Sequence, residues 1–527
     1  MKTYSFFIAL ITILLSGQPV HADYDWRDID RTGLYKNKDE GQLKRNLWNN
    51  YTQDEAVELL KTWPKILRHA SYRQLAKHAL VSNAPHSSEE ITSPALLSER
   101  LQTLIDYGLI NEAQMLFKIA SDDESMPKDF GLSLIGLQFI LLNGELAPMC
   151  LDVQAASSDF RDMPAWRELS KFCRYRFGTG EKVNLKDVTF KQYPALKTIL
   201  ADQLVTIDDT LSSMAILIAY ADNKISDDLY EQLAKSPGDQ RDLIIFLGTK
   251  EKYSNQKTHQ CYAIESVKRG LRTNAFLEES YKNHKFNEGM MSRVGGDITL
   301  HPCDIPAYFY QKMQSDTNDD NKNQLMANAL TVTESLPLTV MVPLMNLANG
   351  YSNNNNDWRT SILQTYISMD TVDKGKADSN VFAYPLKQLI NKNHPSLKEY
   401  KNWLNAENHR ELMDKDEIDT AMLLYLLQIN SGDIDNLSGK SKNIEYENLF
   451  SLTYVDKSIH LGIGFNDFMS DAYDKDNHVF VISHALKLLG KYDIKNIHPQ
   501  DMAVILSTLK AYKLEKETIA LVLEYLQ

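Results

Sequence analysis

The sequence predicts an all-α protein: an α-solenoid of antiparallel helix pairs, irregular in its repeats and capped by C-terminal helices. Three observations predict it. Helix-start signals recur ahead of apolar residues at three- and four-residue spacing. Glycines close apolar helical segments at nearly regular intervals. Alternation of apolar and polar residues, the mark of a half-buried strand, is scarce and short. The chain has 527 residues, 43% of them hydrophobic and 24% charged. That suffices for about two to four domains or one long repeat array.

The N-terminus reads as an export signal. In "MKTYSFFIALITILLSGQPVHA" Lys2 is the only charge, an apolar run follows from Phe6 to Leu15, and Val20-His21-Ala22 fits the small-x-small rule for cleavage. The run is too short to span a bilayer, and no charged stop-transfer flank follows it. A buried N-terminal helix is the alternative, although such a helix would carry a polar face. No cysteine stands at the cleavage point to accept a lipid anchor. Residues 1–22 are therefore expected to leave as a signal peptide cut after Ala22, delivering a protein without a transmembrane anchor to the periplasm.

Three helix starts come next in the chain. Thr52-Gln53-Asp54-Glu55 is a capping box, in which the threonine and glutamate side chains cover exposed amides. Ala56, Val57, Leu59, Leu60 and Trp63 then recur at helical spacing. Ser71-Tyr72-Arg73-Gln74 repeats that cap ahead of Leu75, Ala76, Ala79 and Leu80. Ser93-Pro94 opens a third helix, with proline where a missing amide costs nothing, and Leu97, Leu101, Leu104 and Ile105 line one side of it.

Gly108 in "LIDYGLINEA", Gly144 in "ILLNGELAPM" and Gly178 in "YRFGTGEKV" each end an apolar segment, 36 and then 34 residues apart. Glycine just past a helix end adopts the left-handed conformation that closes it. A helix-turn-helix unit of about 34 residues is the spacing of tetratricopeptide-like repeats, which assigns residues 23–185 to an N-terminal repeat region. An irregular helical globule would also place glycine at helix ends.

Beyond this the period blurs, and residues 186–350 are expected to be a middle helical region. Leu211–Ala221 and Asp227–Ala234 form a hairpin-like pair. Leu336–Leu347 is strongly apolar but carries Pro337 and Pro343, so it reads as a buried, broken helix. "SNNNND" at 352–357 is a polar loop signal, and 431–464, rich in Asn, Ser and Gly, is a second candidate break. Residues 351–527 form the C-terminal helical region, closing with amphipathic helices over Met502–Ala511 and Thr518–Leu526.

"RNLWNNYTQDEAVELLKTWP", "LLSERLQTLIDYGLINEAQMLF" and "LLNGELAPMCLD…W…LSKFCRYRFGTG" together resemble a family of exported helical-repeat proteins of alphaproteobacteria, and "STLKAYKLEKETIALVLEYLQ" resembles that family's closing hairpin. Its members carry alanine-cysteine near one helix start and Phe-Cys in the next, with tryptophan between. Here Met149 precedes Cys150, and Asn and Lys are more frequent. Proteins of this kind are sometimes labelled antifreeze-like, but the sequence contains no Ala-Ala-Thr repeats. The resemblance implies an exported, TPR-like helical protein and brings no activity with it.

The four cysteines fall into two pairs. Cys150 sits in the second turn of a helix beginning after Gly144, and Cys173 lies about nine residues into the returning helix. At 1.5 Å per residue they stand at nearly the same height on antiparallel neighbours, where a disulfide can form in an oxidising compartment. Two buried thiols are the alternative. His259-x-Cys261 and His301-x-Cys303 offer three possibilities: a second disulfide, free thiols, or a zinc site of two sulfurs and two imidazoles. Residues two apart cannot share one helix face, so zinc would need both pairs in extended or turn structure.

Acids outnumber bases 70 to 57, a net charge of −13, without a basic run. This balance argues against nucleic-acid and anionic-membrane partners. No His-Glu-x-x-His, Gly-x-Ser-x-Gly, phosphate loop or dinucleotide fingerprint occurs, and Gly462-Ile463-Gly464 is a lone fragment. His69 and His78, expected on separate helices, read as solvated or core side chains. Asp208-Asp209 and Asp319-Asp320 read as solvated loops. The tryptophans and tyrosines could line a groove, though aromatic residues at helical spacing more often build a core. No catalytic residue and no cofactor are expected. The leading expectation is a non-enzymatic periplasmic scaffold that binds an envelope protein or peptide, its oligomeric state open. The rival is a cell-wall enzyme resembling soluble lytic transglycosylases, whose Glu-Ser element has one counterpart, Glu265-Ser266, with no Gly-Leu-Met-Gln after it.

Overall fold

A computed structural model describes residues 25–35, 47–178 apart from 68, 89 and 123–127, then 188–205, 211–225, 241–250, 258–286, 300–318 and 478–492, with scattered positions in 321–347 and 494–521. Among these, every regular element is helical, and an isolated β-bridge joins Val205 to Ile225. The described part of the protein is all-α. In chain order the helices are α1 (Arg27–Asp30), α2 (Gln53–Lys61), α3 (Ala70–Val81), α4 (Ala95–Asp106), α5 (Ile110–Ala120), α6 (Phe130–Leu142), α7 (Leu146–Ala155) and α8 (Pro164–Phe177). They continue as α9 (Leu196–Leu200), α10 (Ser213–Ala221), α11 (Arg241–Gly248), α12 (His259–Lys268), α13 (Asn274–Asn283), α14 (Ile305–Ser315) and α15 (His478–Lys491), with a 3₁₀ turn at Pro302–Asp304. The signal segment 1–22, residues 227–234, the 352–357 and 431–464 loops, both acid pairs and Gly462–Gly464 lie outside the described residues.

The helix starts divide instructively. The Thr52 capping box forms as its sequence demands: Glu55 N–H donates to Thr52 Oγ1, and Thr52 N–H donates to Glu55 Oε2 at 2.8 Å. The cap expected at Ser71 does not form. Helix α3 begins two residues earlier with His69 at the cap, and Ser71 is buried inside the helix. At α4, Pro94 sits at the cap and not inside the first turn. The start of this helix is instead covered from a distance, because Leu97 N–H donates to Asp30 Oδ1 at 2.9 Å. A carboxylate at a helix N-terminus is favoured by the orphan amides and by the helix dipole.

All three expected glycine stops fall at helix ends, and two of them take the left-handed conformation. Gly108 and Gly144 have φ of +70° and +80°. In each, the glycine N–H and the next N–H reach back to close the helix, Leu109 to Leu104 O at 2.8 Å and Glu145 to Ile140 O at 3.4 Å. Gly178 has φ −70° and makes an ordinary extended exit. The third left-handed stop is Gly270 after α12, with φ +73°.

Sequence neighbours pack together: α4 on α5, α6 on α7, α7 on α8, α11 on α12, α12 on α13 and α13 on α14. Other contacts cross the sequence, with α2 on α4, α6 on α10 and α11 on α4. Helix α15 packs on α3. Apolar side chains from Trp26 to Leu247 form one core, which also takes in Val479, Ile482 and Leu486 of α15. Buried Met502, Ile505, Leu506 and Leu509 belong to it at the spacing expected of an amphipathic helix. A second core gathers α12, α13 and α14 with Val340, Met341 and Leu344 of the apolar 336–347 stretch. All four described tryptophans, Trp26, Trp48, Trp63 and Trp166, are buried in the first core.

Candidate functional site

Helices α7 and α8 bring Cys150 and Cys173 to bonding distance, S–S 1.97 Å with Cα atoms 5.3 Å apart. Both sulfurs are buried. Beside them Trp166 donates its indole N–H to Val153 O at 3.0 Å, and its ring packs 4.7 Å from Phe160. This corner is dry, apolar and suited to bracing a hairpin.

Cys261 and Cys303 also stand at bonding distance, S–S 2.06 Å and Cα–Cα 5.1 Å, at the edge of the second core with one histidine beside them. Cys261 is the third residue of α12, and Cys303 lies in the 3₁₀ turn leading into α14. His301 caps that turn. Its Nδ1 accepts the Cys303 N–H at 3.3 Å and lies 3.6 Å from Cys261 Sγ. The four-ligand arrangement is corrected here. His259 and Cys261 are both in α12, so their side chains diverge by about 200° around the axis. His259 Nδ1 lies 3.2 Å from Gly248 O instead. One histidine therefore joins the two sulfurs, with the three ligand atoms within 4.8 Å of one another. Nearby, His284 Nε2 is 3.5 Å from Asp304 Oδ1. Burial pushes the Asp304 carboxyl up and the His284 imidazole down, so both groups are biased toward their neutral forms.

The remaining histidine pair is not a dyad. His69 and His78 belong to one helix, as the N-cap and in the last turn of α3. Their rings pack against Tyr72 at 4.8 Å and Tyr35 at 6.3 Å, respectively.

Glu265, the acid of the Glu-Ser element, lies in α12. Burial would raise its carboxyl, but Arg269 and Lys268 outweigh that and hold it below its ordinary range. Arg269 Nε donates to Glu265 Oε1 at 2.8 Å. Ser266 Oγ donates to Ala263 O inside the same helix. A general acid needs the opposite shift.

The charges that sequence reasoning missed are the fully buried ones. Arg73 donates to Asp242 and to the Arg269 carbonyl, and also to Leu67 O at 2.6 Å and Tyr107 O at 3.2 Å. Arg269 Nη1 completes the Asp242 carboxylate at 3.0 Å. Arg100 donates to Leu80 O, Thr32 O and Ser82 O at 2.7, 2.9 and 2.7 Å. Asp30 holds Leu97 N–H, Gln53 Nε2 and His86 Nε2, the last two at 2.9 and 3.0 Å. The signal was present in the pattern. Arg73 lies three residues from Ala76 and seven from Leu80, and Arg100 three from Leu97 and four from Leu104, so each occupies the apolar face of its helix.

Among the described residues no helix is long and apolar enough to cross a membrane. In comparisons with known proteins, no family model, no curated protein and no solved structure matches this chain.

Proposed function

We propose that this chain is an exported, TPR-like helical-repeat protein of the bacterial periplasm. Its helix pairs stack as an irregular α-solenoid, and it works there as a non-enzymatic scaffold that binds an envelope protein or peptide. The observation that carries this reading is where the buried charge goes. Arg73, Arg100, Arg269, Asp30 and Asp242 tie one helix to another, and Glu265 is engaged by Arg269 at the end of its own helix. Acid–base chemistry calls for a group poised in a cleft, and these groups are consumed by the fold. The two cysteine pairs at bonding distance suit an oxidising compartment. Apolar side chains left on the surface supply contact area for a partner: Met115 and Ile119 stand one turn apart on α5, and Leu151 on α7 is 66% exposed.

The test is photo-crosslinking in intact cells, with a photoreactive residue at Met115 or Leu151, followed by fractionation. The expected result is a mature N-terminus at Asp23 and a discrete adduct that excess purified chain competes away. An uncleaved chain in the cytoplasm, or the absence of any competed adduct from both positions, would overturn the proposal. Incubation with purified peptidoglycan sacculi separates the rival: release of soluble muropeptides by the wild type would establish a cell-wall enzyme.

A further inference from the structure

The two disulfides differ in one chemical respect. At Cys150–Cys173 the sulfurs are enclosed by apolar side chains. At Cys261–Cys303 an imidazole nitrogen faces them, His301 is exposed, and Cys303 retains 8% of its surface. His301 Nδ1 accepts the Cys303 N–H, so this nitrogen carries the lone pair and Nε2 carries the proton. The nitrogen nearest Cys261 Sγ is thus the one able to ligate once it releases the Cys303 N–H. Zinc–sulfur and zinc–nitrogen bonds of about 2.3 and 2.0–2.1 Å, set at the tetrahedral angle, place sulfur and nitrogen about 3.6 Å apart. The Cys261 Sγ–His301 Nδ1 separation is 3.6 Å. One edge of a tetrahedral site is in place before any metal arrives.

We propose that reduction of the Cys261–Cys303 disulfide converts this corner into a binding site for a borderline divalent ion such as Zn²⁺. The site is held by two thiolates and His301 Nδ1, with an open fourth position. The reductant is a dithiol. One of its thiolates attacks a sulfur of the pair, forming a mixed disulfide and expelling the other cysteine as a thiolate. Its second thiol then releases the first cysteine. In sum, two electrons and two protons pass to Cys261 and Cys303, and the dithiol becomes a disulfide. The metal displaces both thiol protons and takes the imidazole lone pair. The oxidised pair carries no thiolate, so the intact disulfide excludes the ion and the site is gated by redox state.

The probe is Co²⁺ added to the full mature chain, reduced with dithiothreitol and then freed of reductant under anaerobic conditions. A Cys150→Ser/Cys173→Ser background leaves only the pair of interest. One Co²⁺ per chain is expected, with a near-ultraviolet sulfur-to-cobalt band and the visible bands of tetrahedral cobalt, all abolished by Zn²⁺. The oxidised chain should show none of these bands. Cys303→Ser should remove them, and His301→Gln should weaken binding at least tenfold, whereas His259→Gln should leave it unchanged. Three outcomes would each overturn the proposal. They are a reduced, helical chain that binds no cobalt; cobalt binding equal in the oxidised chain or untouched by Cys303→Ser; and a reduced chain that loses its helical circular dichroism and does not recover it with Co²⁺.

Discussion

A buried guanidinium without a carboxylate against it needs another source of compensation, and Arg100 finds it at a helix end. Two of its three acceptors, Leu80 O and Ser82 O, lie at the C-terminal end of α3, where carbonyls lack helical partners and the dipole is negative. Burial still pulls Arg100 down to about 10, with the Asp30 carboxylate opposing that shift. Arg100→Lys keeps the charge but loses the fork, because an ammonium lacks the spread of donors with which the guanidinium reaches three separate carbonyls. The expected loss in urea unfolding is about 2–4 kcal/mol, with Arg100→Met comparable because the carbonyls are then orphaned. Glu265 gives a prediction in pH. Its carboxyl is held below the ordinary 4.5, so the folded state binds its proton less readily than the unfolded chain does. That contribution is fully present above pH 4.5 and is lost as pH falls below it. Glu265→Gln should therefore flatten the acid limb of a stability-against-pH curve while changing little near neutrality beyond a constant offset. An unchanged acid limb would mean that the Arg269 pairing does not form in solution.

At the scale of the element, the α7–α8 hairpin has two independent braces. The disulfide closes a 23-residue separation, which in the chain-entropy account stabilises by about 3 kcal/mol. The Phe130–Phe160–Trp166 cluster packs the start of α6, the α7–α8 turn and α8 together, with ring centroids 4.7–6.4 Å apart, and Trp166 reaches α7 through its bond to Val153 O. Cys150→Ser/Cys173→Ser should then lose about 2–3 kcal/mol in chemical denaturation and keep its helical circular dichroism. Loss of that spectrum would show that the aromatic cluster cannot hold the hairpin alone. This hairpin was legible because all of its determinants are local: a glycine stop, a proline at a helix start and two cysteines at matching heights. The cap of α4 was not legible, since Asp30 comes from 67 residues away in sequence. Gly178 misled for a related reason. A glycine after an apolar run signals a helix end, but its conformation depends on where the chain must go next, and among the described glycines only Gly108, Gly144 and Gly270 adopt the left-handed turn. The His259–Cys261 pair left three possibilities open because two-residue spacing carries no information about helix or turn, and α12 sends the two side chains apart while Cys261 meets Cys303.

For the whole molecule, the feature a repeat period cannot express is the return of the C-terminus. Helix α15 lies on α3, Trp63 Nε1–H donates to Ser483 Oγ at 3.1 Å across 420 residues of sequence, and Gly490 stands against Pro64. Repeat reasoning places terminal helices at the far end of a stack, because it uses nearest-neighbour contacts only. Arg73 makes the same point, linking α3 to α11 and to the end of α12 through side-chain chemistry that no period predicts. Gly490 turns this closure into a question of sign. It lies inside a helix, so on an undocked α15 the change Gly490→Ala would raise stability by up to about 1 kcal/mol through helix propensity. In the docked arrangement an added Cβ would come within 2.6 Å of the Pro64 ring, which has no rotamer with which to move aside. Overpacking of that kind costs about 1–3 kcal/mol, more than the propensity gain. Gly490→Ala should therefore destabilise the protein, and adding Pro64→Ala to it should recover most of the loss. A stabilised single variant, measured by thermal or urea unfolding, would mean that the C-terminal helix does not close onto the N-terminal helices in solution.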